Sequence, residues 1–377
     1  MTYLDHAAST PVVEEALEAM LRAARECGGN PASVHGAGRR TRAALEQARL
    51  EVAGYLGCLP AELRWEASGT AALRRALRAA LGLSPGPLVS SRLEHPAVRE
   101  VVEETEAAGR EVRWLSQPGG VLTPEQVAPA LEGAGVVALS AMNHELGTAP
   151  ALAPLMARAP GAWWVVDAVQ AAAWLNVSPL LGPRVFLTCA AQKLGGPPGV
   201  AALRVPRELA FAPSGRREAL FPEAPGTAPW LAAIGMGAAC RVREPALPEG
   251  LPRVRALAER LLAGMRQACP RLVHNAGPDW AGPILDVSVP EVEARHLETA
   301  LDLRGLYVSR TSACQQARTV GSRVVAAAFP EEPWRADTAL RFSLGLSTTG
   351  ADLDAALEAW RSALEELQPI GRRHPPI

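Results

Sequence analysis

Of the 38 side chains that are Lys or Arg, 37 are Arg and only Lys193 is Lys. A guanidinium stays protonated and cannot condense with an aldehyde, whereas a desolvated lysine amine forms a Schiff base. Composition therefore isolates one position at which an amine is the group required, although an Arg-biased chain can also leave one ordinary Lys behind. Other chemistry-bearing residues stand where apolar runs stop. Gly69-Thr70 follows the run at 62–67, His95 follows Leu88-Val89-Ser90, Asp167 ends Trp163-Trp164-Val165-Val166, and Lys193 lies four residues after Val185–Cys189. Ligands of an open parallel sheet sit outside the carboxyl ends of its strands, so these positions converge if the runs are strands.

One pyridoxal phosphate (PLP) would use every one of them. Gly69 and Thr70 at a helix start offer backbone amides and a hydroxyl to a phosphate, or are simply a helix cap. Asp167, ending a buried strand, needs a partner: a protonated pyridine nitrogen, or neighbouring backbone amides. Gln170, three residues on, is placed to reach the ring hydroxyl. His95 can stack on the ring or shuttle protons, or be an ordinary packed histidine.

The elements that must hold these residues alternate. Strand-like runs near 62–67, 87–92, 135–141, 162–166, 184–189 and 199–205 are separated by helical stretches near 38–55, 70–81, 96–108 and 124–132. A first helix runs from Val12 to Ala24, with Thr10 as its cap, Pro11 in its first turn and Gly28-Gly29 as its stop. Thr123-Pro124-Glu125-Gln126 reads as a capping box. Buried strands alternating with amphipathic helices predict an α/β fold with a mainly parallel, seven-stranded-type sheet. Beyond the Pro/Gly-rich stretch 213–229 the pattern predicts a helix at 252–268, strand 283–288, helix 292–302, strand 306–309, helix 316–327, strand 339–344 and helix 350–367. The division expected is a large domain at 12–248 and a smaller α+β domain made of 1–11 and 249–377.

Composition excludes several classes of function. The net charge of −1 and the lack of long basic runs argue against nucleic acid and anionic membrane as partners. No apolar stretch reaches a membrane span and the start lacks a signal-peptide pattern, so a cytoplasmic protein is expected. The six cysteines form no C-x-x-C pair, which argues against a zinc ribbon or thioredoxin-like site; no metal is expected.

In register along nearly the whole chain, the motifs resemble the cysteine desulfurases, in the class V aminotransferase-like branch of PLP-dependent fold type I. They are Tyr3-Leu-Asp-His-Ala-Ala-Ser-Thr-Pro11, Gly29-Asn-Pro-Ala-Ser-Val-His35, Ser68-Gly-Thr70, Glu94-His95, Asn143-His-Glu-Leu-Gly147, Val166-Asp-Ala-Val-Gln170, Gln192-Lys193, Gly226-Thr227, Thr311-Ser-Ala-Cys314 and Arg341-Phe-Ser-Leu-Gly345. The resemblance implies that Lys193 is the Schiff-base lysine and proton shuttle, His95 the ring-stacking acid/base, Asp167 the pyridinium partner and Gln170 the O3′ donor. It implies Gly69, Thr70 and Gln192 at the phosphate and His144 at the ring. Asn30 and Arg341 would bind substrate, Arg341 clamping the α-carboxylate. Cys314 would be the sulfur acceptor. Thr227 would reach the phosphate of the other subunit, which implies a homodimer.

Some positions depart from the family pattern. The usual Ser-x-His before the lysine is Ala190-Ala191-Gln192, which alters two donors to the phosphate, and the usual Asn-Asn-Glu is Asn143-His144-Glu145. The expected activity is removal of sulfur from L-cysteine or a close analogue, leaving alanine and a Cys314 persulfide for a sulfur-acceptor protein in iron–sulfur or thiolation pathways. The alternatives are selenocysteine or cysteine sulfinate lysis, transamination, or a non-catalytic partner protein in sulfur metabolism.

Overall fold

The computed structural model describes residues 1–211, 221–310 and 321–371, the side chains of the last four excepted. Twelve strands are seen among them. They are β1 (Thr2–Tyr3), β2 (Leu63–Glu66), β3 (Leu88–Ser91), β4 (Val112–Leu115), β5 (Val136–Ser140), β6 (Trp163–Asp167), β7 (Val185–Ala190), β8 (Ala201–Arg204), β9 (Val273–His274), β10 (Ile284–Ser288), β11 (Leu306–Tyr307) and β12 (Ala339–Ser343).

Seven of these form the main sheet in the order β2-β8-β7-β6-β5-β3-β4. Only β8 runs against its neighbours, pairing antiparallel with both β7 and β2. Both faces of the sheet are covered, so every strand but the edge strand β4 is buried throughout, and strand periodicity divides their side chains between two cores. Val137, Leu139, Trp164, Val166 and Leu187 join one cluster; Val136, Ala138, Trp163, Val165 and Phe186 join the other. The helices that matter for the site are α1 (Glu14–Glu26), α2 (Gly36–Leu56), α3 (Gly69–Leu83) and α4 (Pro96–Ala107). In α3 the buried residues Ala72, Leu73, Ala76, Leu77 and Ala80 recur at helical spacing and pack on the second core. The Thr123–Gln126 capping box forms as its spacing predicts.

The C-terminal part holds the antiparallel sheet β12-β10-β9, with helices Leu247–Ala268 and Gly350–Gly371 beside it. Trp360 meets Phe342 edge-on at 5.8 Å. The N-terminal strand belongs to this half: β1 pairs parallel with β11, and Asp5 bridges Ser343. The chain then crosses to the main sheet, where Thr10 N–H donates to Gln192 O at 2.8 Å and Val13 N–H to Gly195 O at 2.9 Å.

That crossing corrects the expected helix start. Thr10 does not cap α1: its hydroxyl donates to His6 O, and the N-cap is Val13, with no side-chain bond. The strap keeps residues 10–13 bound to the Lys193 turn, so helical geometry begins only at Glu14. The edge strand β4 and the helix Trp230–Arg243 were not expected, and the helix placed at 252 begins at Leu247, with Pro248 and Pro252 accommodated in its opening turns. The helix expected at 316–327 is seen as Arg323–Ala328: Gly321 and Ser322 are not helical, Ser322 being the N-cap whose side chain accepts from Val325 N–H, and residues 316–320 lie outside the described residues.

Candidate active site

A cavity of about 250 Å³ opens at the carboxyl ends of the main-sheet strands. Its floor is set by three strand ends. Asp167 is the last residue of β6, Ala190 the last of β7, and Ser140 the last of β5. Gly69 and Thr70 open α3 on one side, His95 precedes α4 on another, and Arg341 reaches in from β12.

Lys193 sits in a single helical turn, Ala191–Leu194, that Gly195 closes at φ +87°, a left-handed conformation suited to glycine. Its Nζ donates to Ala7 O at 2.7 Å and to Ala8 O at 2.5 Å. Gln170 Nε2 donates to the same Ala7 O at 2.8 Å. The N-terminal strap thus supplies the acceptors that aim both side chains along the cavity wall.

Asp167 is buried, and Val169 N–H donates to its Oδ1 at 2.9 Å. Burial pushes its carboxyl above the usual range, against the opposing pull of that amide, His144 and Lys193. Behind it Glu94 is more extreme: burial, then repulsion from Asp167, push it up to about 8. Glu94 Oε1 accepts a long contact from Ser140 Oγ at 3.4 Å, and its Oε2 has no hydrogen-bond partner among the described residues.

His95 is the N-cap of α4, its Nδ1 accepting from Ala97 N–H at 3.1 Å. Burial, with His144 and Lys193 nearby, lowers its pKa to about 3. The His144 ring stands edge-on to it, centroids 5.1 Å apart. His144 lies in a turn folded by Asn143, whose Oδ1 accepts from Glu145 N–H and Leu146 N–H, both at 2.9 Å. Gly147 completes the turn at φ +68°, where an added Cβ would stand 2.6 Å from Ile284 O.

Arg341 is 1% exposed. One nitrogen donates to His144 O at 2.7 Å; the other donates to Asp5 Oδ1 and Ser309 Oγ, both at 3.1 Å, and Nε is left without a partner. A guanidinium sealed this deeply requires such compensation, since an unpaired buried charge is costly.

Most of the expected site residues therefore line one cavity: Lys193, Asp167, Gln170, His95, His144, Gly69, Thr70, Gln192 and Arg341. Two do not. Asn30 is exposed and accepts from Ala32 N–H in a local turn, and Thr227 is exposed on the segment before Trp230. Cys314 lies outside the described residues. Sequence reasoning gave no role to the Ala7 and Ala8 carbonyls, Glu94, Ser140, Glu145 or Asp5. Five of these six residues, all but Ser140, belong to quoted motifs, but contacts to a backbone oxygen or across half the chain leave no local pattern.

The model for the aminotransferase class-V family matches residues 2–356. The chain belongs to that family. It is 32% identical to the IscS-like cysteine desulfurase of Mycobacterium tuberculosis, over 97% of this chain and 96% of that relative. It is 30% identical to the cysteine desulfurase IscS of Dictyoglomus turgidum, over 98% of this chain and 95% of the relative. Among solved structures, a NifS-like protein superposes with a TM-score of 0.86 at 23% identity, over 97% of this chain and 100% of the other; that likeness speaks for the fold alone. The architecture is the fold type I of PLP-dependent enzymes, and PLP is the cofactor of the family.

The residues present fit that cofactor. A buried Asp167 with a raised pKa is the group a cationic ring nitrogen would satisfy. The opening of α3 presents its N-terminus to the cavity, with Ser68 Oγ already accepting Ala71 N–H and Gly69 packed so that a Cβ would stand 3.1 Å from Val169 Cγ2. The single amine lies in the same wall.

Proposed function

We propose that this protein is a PLP-dependent cysteine desulfurase that removes sulfur from L-cysteine and keeps it as a persulfide on Cys314. The observation that carries the reading is the convergence of Lys193, Asp167 and Arg341 on one cavity. An amine for an aldehyde, an anion for a ring cation and a guanidinium for a carboxylate together match a PLP enzyme acting on an amino acid.

In this reading Lys193 Nζ would hold the cofactor, and the same amine would accept the proton lost from the substrate's Cα. Asp167 would hold the ring nitrogen, Gln170 and His144 would face the ring, and Gly69, Thr70 and Gln192 would receive the phosphate. When bound, PLP supplies an electron sink for the charge that develops at Cα. Arg341 orients the substrate carboxylate. The Cys314 thiolate then attacks the substrate sulfur: an S–S bond forms, the C–S bond breaks and its electron pair, with protons, gives alanine. The other five cysteines are poor candidates for this attack. Cys27, Cys189, Cys240 and Cys269 are buried, and burial pushes the thiols of Cys58 and Cys189 up to about 12.

Exposure of Thr227 suits a residue that serves a second subunit, so the working form is read as a homodimer, with Asn30 completing the substrate site there. The persulfide would pass to an acceptor protein of iron–sulfur cluster assembly in the cytoplasm; among the described residues no helix is long and apolar enough to cross a membrane. Cys314→Ser separates the steps. This variant should still exchange the Cα hydrogen of L-cysteine with solvent, yet form no persulfide and release no alanine. Normal alanine release by Cys314→Ser would overturn the role given to the thiol.

A further inference from the structure

Arg341 enters the cavity wall with most of its donors already committed. Its Nη1 donates to His144 O at 2.7 Å, while Nη2 donates to Asp5 Oδ1 and Ser309 Oγ, both at 3.1 Å. Both hydrogens of Nη2 are thereby used. A guanidinium grips a carboxylate along one of two bidentate edges, Nε/Nη2 or Nη1/Nη2, and Nη2 belongs to both. Nε is sealed from solvent without a hydrogen-bond partner among the described residues, so the Nε/Nη2 edge is half open. A ligand carboxylate that takes this edge with two bonds must therefore replace Asp5 or Ser309 at Nη2.

Asp5 cannot leave with its backbone. It bridges Ser343, two residues beyond Arg341 on β12: Ser343 N–H donates to Leu4 O at 2.7 Å, and His6 N–H to Ser343 O at 3.3 Å. The Asp5 carbonyl accepts from the Tyr3 hydroxyl and from Ala8 N–H, both at 3.1 Å. The two side chains of the ion pair are 19% and 1% exposed, so solvent and salt screen it poorly. Burial pushes the Asp5 carboxyl up, and Arg341, Lys193 and Ser309 pull it back only in part. A second anion stands close by. Burial would raise the carboxyl of Glu145, but His144, Ser322 and Arg341 outweigh that and hold it below the usual range, hence charged. A further carboxylate arriving at Arg341 thus meets repulsion as well as attraction.

We infer that Asp5 is a positioning residue that competes with the substrate's α-carboxylate for Nη2 of Arg341, and so holds the affinity for amino acids below what the cation alone would give. A carboxylate gripped against a fixed competitor is also released more readily. That suits a site whose product, alanine, carries the same carboxylate as its substrate. The inference deepens the desulfurase reading and rests on it for Arg341 as the group that meets substrate.

The test reads binding to the PLP-loaded full chain, from the change in cofactor absorbance, with L-alanine and with L-alaninamide, which lacks the carboxylate charge. Asp5→Asn keeps an oxygen that accepts from Nη2 and removes the competing charge. It should tighten L-alanine by roughly tenfold, as loss of one like charge a few ångströms away does in a poorly screened site, and change L-alaninamide by less than about twofold. Arg341→Gln should weaken L-alanine and spare L-alaninamide. Because a buried guanidinium that loses its counter-ion can destabilise the fold, a second measurement uses the unaltered chain. With ¹³C at the aspartate carboxyls, and the Asp5 signal identified by its loss in Asp5→Glu, L-alanine should shift that signal and L-alaninamide should leave it in place. If Arg341→Gln weakens L-alanine, the inference is overturned by an Asp5→Asn chain that binds L-alanine no better, by tightening that L-alaninamide shares, or by an Asp5 signal that L-alanine leaves unmoved. L-Alanine binding indifferent to Arg341→Gln would instead remove the carboxylate clamp from the desulfurase reading, and the inference with it.

Discussion

At the scale of single residues, the rarity of lysine was the most legible signal, because an amine cannot be replaced by the guanidinium used everywhere else. If Lys193 ties the cofactor, borohydride treatment of the protein with PLP should fix the reduced cofactor on the Lys193 peptide, as mass spectrometry reads it. Lys193→Ala should carry none while keeping its far-UV spectrum. Fixation on the N-terminal amine alone would contradict the assignment. The altered phosphate neighbours give a second prediction. Ala190 donates nothing and Gln192 offers an uncharged amide, and a hydrogen bond to a charged group is worth about 1.5–3 kcal/mol. Ala190→Ser with Gln192→His should therefore slow cofactor loss on dialysis, by roughly tenfold or more. Unchanged release would mean that the phosphate is satisfied by other groups. What could not be read at this scale was electrostatic: the partner of Arg341 is Asp5, 336 residues away in sequence. Ion pairs of that separation follow only from the assembled fold.

At the scale of elements, alternating apolar runs located six of the seven main-sheet strands, because strands buried on both faces are nearly continuous apolar segments. The seventh, β4, sits at the sheet edge, is only partly buried, and carries Arg113 in its middle, so its run is short and mixed. Likewise Thr10 looked like a cap by residue type, yet backbone bonds to Gln192 and Gly195 kept the chain out of helix until Glu14. Two buried carboxylates at element junctions carry a pH prediction. Asp286, on β10 in register with Arg341, and Glu94, between β3 and α4, are both pushed up to about 8, chiefly by burial. A carboxyl whose folded pKa is raised binds a proton in the native state that the unfolded chain has released. Its stabilising contribution is present at low pH and is lost as pH rises from the ordinary carboxylate range to about 8. Thermal unfolding of the protein without PLP should thus show stability falling over that window. Glu94→Gln and Asp286→Asn should each flatten the fall, by at most about 1.4 kcal/mol per pH unit. An unaltered slope in both variants would show that these carboxyls are ionised in the native state.

At the scale of the whole molecule, the architecture was legible because buried strands and amphipathic helices alternate over much of the chain, and the convergence of the site followed from placing ligands at strand ends. Sequence patterning did not reveal that residues 1–13 tie the two sheets together, pairing with β11 and β12 at one end and holding Lys193 at the other. That strap makes the cavity a property of the complete chain. The central claim is that this chain takes sulfur from L-cysteine through PLP and retains it on one thiol. Intact-mass and peptide mass spectrometry of the PLP-loaded protein after L-cysteine, with alanine measured in the same sample, tests it most directly. The account predicts one added sulfur, on the peptide containing Cys314, with alanine formed alongside it and neither seen in Lys193→Ala. No added sulfur and no alanine, or sulfur carried by Cys58 or the buried cysteines instead, would contradict it.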